Sequence, residues 1–305
     1  MTLYSASSGD TIADRRADFA EMLLRSGDGA AAADLMLQAL ERAPAWTYGW
    51  FRLGEMHGAC GQAGAAAKAF ATALDLDPDD RLGASLKLHL AGAGPSPETM
   101  PPAFVETLFD QYAATFDAAL VGKLDYRAPS LLLDAIVTAH PGRFAQAVDL
   151  GCGTGLMGEL LRPRCDRLDG YDISEGMLRE ARAKDLYDRL EKADLSTLRM
   201  EAPVADLAVA ADVYMYLGAL DAPFSNVRSM LRPGGLFAFS VERLDAPGFA
   251  LRETRRYAHS RDYVEETLAR AGFRVERLAE ATIRKDREAP VAGLIVLARQ
   301  PEAGQ

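Results

Sequence analysis

The segment Gln146–Leu161, QAVDLGCGTGLMGELL, restricts what this chain can fold into more than any other. A short apolar run ends in three glycines at alternate positions, Gly151, Gly153 and Gly155, and a helical pattern follows at once. Glycine has no Cβ, so its backbone reaches dihedrals closed to other residues and lets another group come close. A strand turning through such a loop into a helix opens a βαβ unit, and ligands of these folds bind at that turn. A phosphate loop needs a Gly-Lys-Ser/Thr ending, but Gly155 is followed by Leu156 and Met157. A dinucleotide fingerprint, G-x-G-x-x-G, fails from Gly151, because Leu156 stands where its last glycine belongs. Started at Gly153 it finds Gly155 and Gly158, a forced match that leaves Asp149 without a role.

Downstream, apolar runs alternate with helical stretches. AQAVDL, RLDGYDI, the end of DRLEKADL, ADLAVAADV and LFAFSVE read as strands. LMGELL, EGMLREARAK, a segment through Asn226 to Leu231, and SRDYVEETLARAG read as helices between or after them. FRVERLAEAT and VAGLIVLARQ close the chain as two strands, predicting an antiparallel hairpin at one sheet edge. Such alternation predicts an α/β fold: a Rossmann-like, seven-stranded, mainly parallel sheet with helices on both faces. Ahead of it, Leu108, Tyr112, Phe116 and Leu120 fall four apart and predict a helical stripe, broken near Gly122. APSLLLDAIVTAH predicts another helix, with Pro129 at its start.

The first ninety residues follow a different rule. Pro44 and Pro78, Ala32 and Ala66, Ala39 and Ala73, and Gly27 and Gly61 are each 34 residues apart. The second copy places Trp50, Leu53, Gly54, Ala66, Phe70, Ala73 and Pro78 in a pattern that resembles the tetratricopeptide repeat, with His57 in place of a tyrosine. The resemblance implies antiparallel helix pairs held close by the alanines and spaced by Trp50 and Phe70, with each proline ending a pair. Two repeats bury little core, so DDRLGASLKLHLAG is expected to cap them as a further helix. The expected organisation is an all-α repeat domain at 1–93, a Pro/Gly/Ser-rich linker at 94–103, and an α/β domain at 104–305.

With 305 residues and a formal net charge of −10, the chain is expected to bind neither nucleic acid nor an anionic membrane. Cys60, Cys152 and Cys165 have no metal-ligand spacing and are odd in number, which fits a reducing compartment and no metal. The N-terminus lacks a basic region followed by an apolar core, and no run of about 18 apolar residues occurs, so a cytoplasmic location is expected.

VDLGCGTG resembles motif I of the class I S-adenosylmethionine-dependent methyltransferases, D/E-x-G-x-G-x-G, and later segments follow that family's order. The resemblance runs from about Phe104 to Gln300, and the whole chain is similar to methyltransferases that carry an N-terminal tetratricopeptide region. It implies S-adenosylmethionine as cofactor and S-adenosylhomocysteine as product. Gly151, Cys152 and Gly153 would lie against the ligand, and Asp149 would order the loop and hold the methionine amino group. Asp172 in YDIS, 19 residues after Gly153, would accept from the ribose hydroxyls, as an acid does in dinucleotide enzymes too. Ile173 would pack on the adenine, with Met177 as a second apolar wall. In KADL, Asp194 would accept from the adenine amine and the Leu195 amide would face a ring nitrogen. Ala210 and Ala211, ending ADLAVAADV, would floor the site.

Methyl transfer from a sulfonium is an in-line displacement with a neutral leaving group, so alignment and exclusion of water carry much of the catalysis. A general base is needed only for a protonated nucleophile. In the resembling enzymes the stripe helix is a lid; Tyr112 would touch the methionine end and Phe116 the acceptor. After ADLAVAADV come Tyr214 and Tyr216, of which Tyr216 is expected to face the pocket. RRYAHSRDY supplies Arg256 to pair with an acidic acceptor, Tyr257 beside the acceptor, His259 as a candidate base, and Ser260 as a helix cap. The expected acceptor is an O or N atom of a small molecule. Alternatives are a protein substrate docked on the repeats, a cofactor-sensing scaffold, and repeats that only pack on their own chain or make a homodimer.

Overall fold

The structure, a computed structural model, describes residues 7–118, 125–200, 202–286 and 289–302. It divides into two compact units, Met1–Phe104 and Val105–Gln305.

The first unit is helical: α1 (Thr11–Arg25), α2 (Gly29–Leu40), α3 (Thr47–Ala59), α4 (Ala63–Leu76) and α5 (Ala84–Leu90). Asp10 and Asp28 start the first two helices, each accepting backbone N–H bonds that the first turn leaves open. Ala32, Ala66 and Ala73 are buried where helices approach closely. At Gly54 a Cβ would stand 2.6 Å from the Phe70 ring, so the glycine admits the aromatic that fills the gap. Ala84 on α5 joins the core of Phe51, Ala66, Phe70 and Ala73, closing the end of the second helix pair.

The second unit holds a sheet in the order β3-β2-β1-β4-β5-β7-β6, with β9 antiparallel to β5 and β8 antiparallel to β9. The strands are β1 (Phe144–Leu150), β2 (Cys165–Asp172), β3 (Arg189–Lys192), β4 (Ala205–Ala210), β5 (Leu231–Arg243), β6 (Phe249–Leu251), β7 (Tyr257–His259), β8 (Arg274–Asp286) and β9 (Ala289–Arg299). β3 through β5 pair in parallel. The helices are α6 (Pro102–Tyr112), which begins at the division between the units, α7 (Ala128–Ala139), α8 (Leu156–Leu161), α9 (Glu175–Ala183), α10 (Asp221–Met230) and α11 (Arg261–Arg270).

Successive strand side chains point to opposite faces, and the two cores divide accordingly. Ala147, Leu207, Val209, Leu236 and Ala238 join Leu132, Ile136 and Leu161 on one face. Val148, Leu150, Ala208, Ala210, Phe237 and Phe239 join Phe224 and Leu268 on the other. Burial on both faces is what makes these strands read as continuous apolar runs.

The sheet has nine strands, not the expected seven. The additions are the three-residue strands β6 and β7, too short to show alternation. The stripe helix is interrupted earlier than expected: α6 ends at Tyr112, a 3-10 turn covers Ala113–Thr115, and residues 116–118 are helical again. Leu120 and Gly122 lie outside the described residues. No helix among the described residues is long and apolar enough to cross a membrane.

Candidate cofactor and acceptor site

Parallel strands bring β1, β2 and β4 to one edge with their carboxyl ends side by side, so residues distant in sequence meet there. Gly151, Gly153 and Gly155 have φ of 67°, 54° and 94°, left-handed values that favour glycine. The Gly151 and Cys152 amides donate to the Tyr171 carbonyl at 2.7 and 3.0 Å, pinning the turn to β2. Beside Gly153 a Cβ would meet nothing within 4 Å, so the space over the loop is open to a ligand.

Two acids end the neighbouring strands. Asp149 is 1% exposed; its Oδ2 accepts from the Tyr187 hydroxyl at 2.7 Å, and its buried Oδ1 has no hydrogen-bond partner among the described residues. Burial pushes its pKa up to about 7 against the Tyr187 bond, with Asp172 adding like charge. Asp172 is 7% exposed; it accepts from the Gly153 amide at 2.8 Å and the Ser174 amide at 2.8 Å. Burial raises it to about 6 despite those donors. Each of its oxygens keeps a further acceptor direction. No cation among the described residues forms an ion pair with either carboxylate. Ser174 then caps α9 by accepting from the Met177 amide at 3.0 Å, which buries Met177 and leaves Ile173 half-buried at the loop. Cys152 is buried, and burial with two nearby acids pushes its thiol well up, so it stays protonated.

Asp194 follows β3 and is half-buried; its Oδ1 accepts from the Ser196 amide and hydroxyl at 2.9 and 2.7 Å. Leu195 packs against the larger core. Ala210 is buried at the end of β4, and the Ala211 carbonyl accepts from the Tyr126 hydroxyl at 3.4 Å.

The segment expected to form a lid differs from its expected form. Tyr112 is 55% exposed, because its position on α6 faces outward. Phe109, one turn earlier, meets Phe116 at 5.9 Å and Tyr216 at 5.3 Å between ring centroids, both edge-on. Two acids fasten this segment to the glycine-loop side. Asp110 accepts from the Ser174 hydroxyl and the Gly176 amide at 2.6 and 2.8 Å, and Asp117 accepts from the Thr154 hydroxyl and from Lys184. They stand on either side of the 3-10 turn, seven residues apart, a spacing that was available in the sequence.

The segment before α11 needs the larger correction. His259 is 0% exposed; Nε2 lies 3.0 Å from both the Leu217 and Gly218 carbonyls, so it carries the proton and donates. Tyr263 stacks on the ring at 5.9 Å, and burial lowers the pKa to about 4. Held this way, the neutral ring ties the Leu217 and Gly218 carbonyls to β7, and its buried Nδ1 has no hydrogen-bond partner among the described residues. Tyr257 is wholly buried too, because β7 pairs with β5 and turns this side chain into the interior. Ser260 caps α11. Tyr214 is buried among Phe224, Phe237 and Phe239, whereas Tyr216 is half-buried beside Phe109. Arg256 is half-buried, lies near enough to act electrostatically on Tyr216, and pairs with Asp286 at 3.2 Å.

A cluster at the ends of β4 and β5 has no sequence signal. Arg284, 2% exposed, donates to both Asp212 oxygens at 2.7 and 2.6 Å and to Glu242. Asp212 has φ of 61°, unusual for a non-glycine residue, and its amide donates to Ser240 at 2.9 Å. Its partner arrives from β8, 72 residues on.

Residues 148–237 match the family model described as Methyltransferase domain. The chain is 31% identical over 192 residues to a malonyl-[acyl-carrier protein] O-methyltransferase of Geobacter sulfurreducens, covering 56% of this chain and 70% of that protein. It is 38% identical over 141 residues to human Methyltransferase-like protein 27, covering 44% and 56%. The chain spans about half the length of most curated relatives it matches. In fold it is similar to the [4+2]-cyclase SpnF, with a TM-score of 0.55 at 17% identity over 68% of this chain and 99% of that one.

Proposed function

The chain belongs to the class I S-adenosylmethionine-dependent methyltransferases, and on that premise we propose that it moves a methyl group to an O or N atom of a small-molecule acceptor. The observation that carries the reading is the pair of buried, cation-free acids, Asp149 and Asp172, flanking the open face of the glycine loop. Buried carboxylates without cations are costly, and a ligand bearing a sulfonium, an ammonium and ribose hydroxyls supplies what they lack. Bound there, that ligand supplies an activated methyl group on a neutral leaving group. Asp172 accepts from the ribose; Ile173 and Met177 wall the adenine; Asp194 and the Leu195 amide read its edge; Ala210 and Ala211 form the floor. Phe109, Phe116 and Tyr216 exclude water and hold the acceptor in line.

For the acceptor, an oxygen is favoured by the relative named for malonyl O-methylation, and Arg256 beside Tyr216 suits an acidic group on it. The N-terminal helices are, in this reading, a tetratricopeptide-type arm within the boundaries 1–93, joined through 94–103 to a catalytic domain at 104–305. A second reading, a protein acceptor docked on that arm, is favoured by Ile12, Phe19 and Met22, large apolar side chains exposed along α1.

Labelled S-adenosylmethionine incubated with fractionated lysate tests the proposal. Label in a small-molecule fraction is expected. Label confined to protein favours the docked acceptor, and deletion of residues 1–93 should then abolish it. Absence of transfer into any fraction, with cofactor binding intact, sinks both readings in favour of a non-catalytic scaffold.

A further inference from the structure

Tyr187 lies after α9, outside every motif of the sequence, yet it reaches the buried end of β1. Its hydroxyl donates to Asp149 Oδ2 at 2.7 Å. The ring passes through a slot made of glycines. A Cβ at Gly158 would stand 2.3 Å from the hydroxyl oxygen, one at Gly170 would stand 2.9 Å from the ring, and one at Gly155 would stand 3.3 Å from it. Gly170 is the register partner of Asp149 on β2, so the absence of a side chain there opens the route to the carboxylate. Gly158, on α8, opens it from the other side. These three glycines have a second customer besides any ligand: they admit a tyrosine.

We propose that Tyr187 is a positioning residue for the cofactor: it holds one oxygen of Asp149 as a buried charge beside the glycine loop and leaves Oδ1 for a donor that arrives on binding. Asp149 Oδ1 is buried and has no partner among the described residues, while Oδ2 is fixed. A carboxylate held by a neutral hydroxyl keeps its negative charge for a cationic ligand; an arginine in the same place would cancel it. The inference rests on the cofactor reading given above. The groups facing Asp149 are Tyr187, Asp172 at the end of β2, Cys152 in the loop, and Tyr126 ahead of α7. Among the charged ones none is a cation, so the hydroxyl is the group that favours ionisation there.

The test is Tyr187→Phe in the full chain, with S-adenosylhomocysteine affinity measured by calorimetry from about pH 6 to pH 8.5. Phenylalanine fits the same slot, so the fold is kept and only the hydroxyl is lost. Affinity should fall about tenfold near pH 7, and the deficit should shrink as pH rises, because Asp149 then ionises without help. Asp172 and the ligand's amine titrate in both proteins and cancel in the ratio. Gly158→Ala, which blocks the slot, should give the same pH-dependent deficit. A ratio of one, or a deficit constant with pH, overturns the proposal. A wild-type protein that binds no S-adenosylhomocysteine at any pH overturns the cofactor reading and this inference with it, and is told apart because the wild type itself is silent.

Discussion

The carboxyl ends of β1 and β2 treat buried acids in one way, and the ends of β4 and β5 treat them in another. Asp149 and Asp172 are met by a hydroxyl and by backbone amides, and both are pushed up by burial. Asp212 and Glu242 are met by the buried guanidinium of Arg284, with Arg252 on the second Glu242 oxygen at 3.3 Å. The first arrangement leaves negative charge unspent; the second cancels it internally. Removing a buried charge from water costs several kcal/mol, which the protein repays with a built-in cation where none arrives from outside. The uncompensated pair therefore marks where a cationic ligand is expected, and the compensated pair marks scaffold that is neutralised from within.

The largest expected effect attacks the compensated side. Arg284→Ala strands Asp212 in the interior, leaves Glu242 with Arg252 alone, and should cost about 3–5 kcal/mol in urea unfolding. A loss under about 1 kcal/mol would show that the cluster is hydrated and the contrast false.

Next is the neutral histidine on the same side. Unfolded His259 takes up a proton near its ordinary 6.5, whereas the folded residue waits until about 4. The unfolded state thus binds more protons between these values, so His259 contributes stability above about pH 6.5 that is lost as pH falls toward 4. Relative to His259→Phe, the wild type should lose on the order of 3 kcal/mol between pH 7.5 and 4. Equal pH slopes, together with loss of kcat in the variant, would return His259 to a catalytic role.

On the uncompensated side, Asp172→Ala should weaken S-adenosylmethionine binding by about 1.5–3 kcal/mol in calorimetry, through lost hydrogen bonds to a charged group. Affinity within twofold of wild type would remove the ribose assignment. The smallest effect is expected at Arg256→Ala. Its half-exposed ion pair should be worth about 0–1 kcal/mol to stability, while KM for an acidic acceptor rises and cofactor affinity stays unchanged. An equal change in both constants would take Arg256 out of the acceptor site.

What the sequence reached and missed follows from what glycine and side-chain type each report. Gly151 and Gly153 announce a backbone conformation, which is local, so the loop and the acids at the ends of its strands were legible from their spacing. The alternating strands and helices were legible because burial on both faces writes itself as apolar runs. Strands β6 and β7 escaped notice because three residues carry no period. RRYAHSRDY showed polar and aromatic residues without their direction, and pairing of β7 with β5 turned Tyr257 and His259 inward. Along the stripe, the spacing of four held Tyr112 and Phe116 on one side, but the 3-10 turn at Ala113–Thr115 shifted the register, and Phe109 took the inner place.

By itself, then, the sequence determined the two kinds of architecture and the glycine loop, since each depends on residues near one another in the chain. Only the tertiary structure decided which acids keep their charge. Tyr187 reaches Asp149 across 38 residues and Arg284 reaches Asp212 across 72; such pairings depend on how strands are ordered and how far each side chain is buried. The electrostatics of this site belongs to the fold, because a carboxylate's environment is set by neighbours that the chain brings from elsewhere.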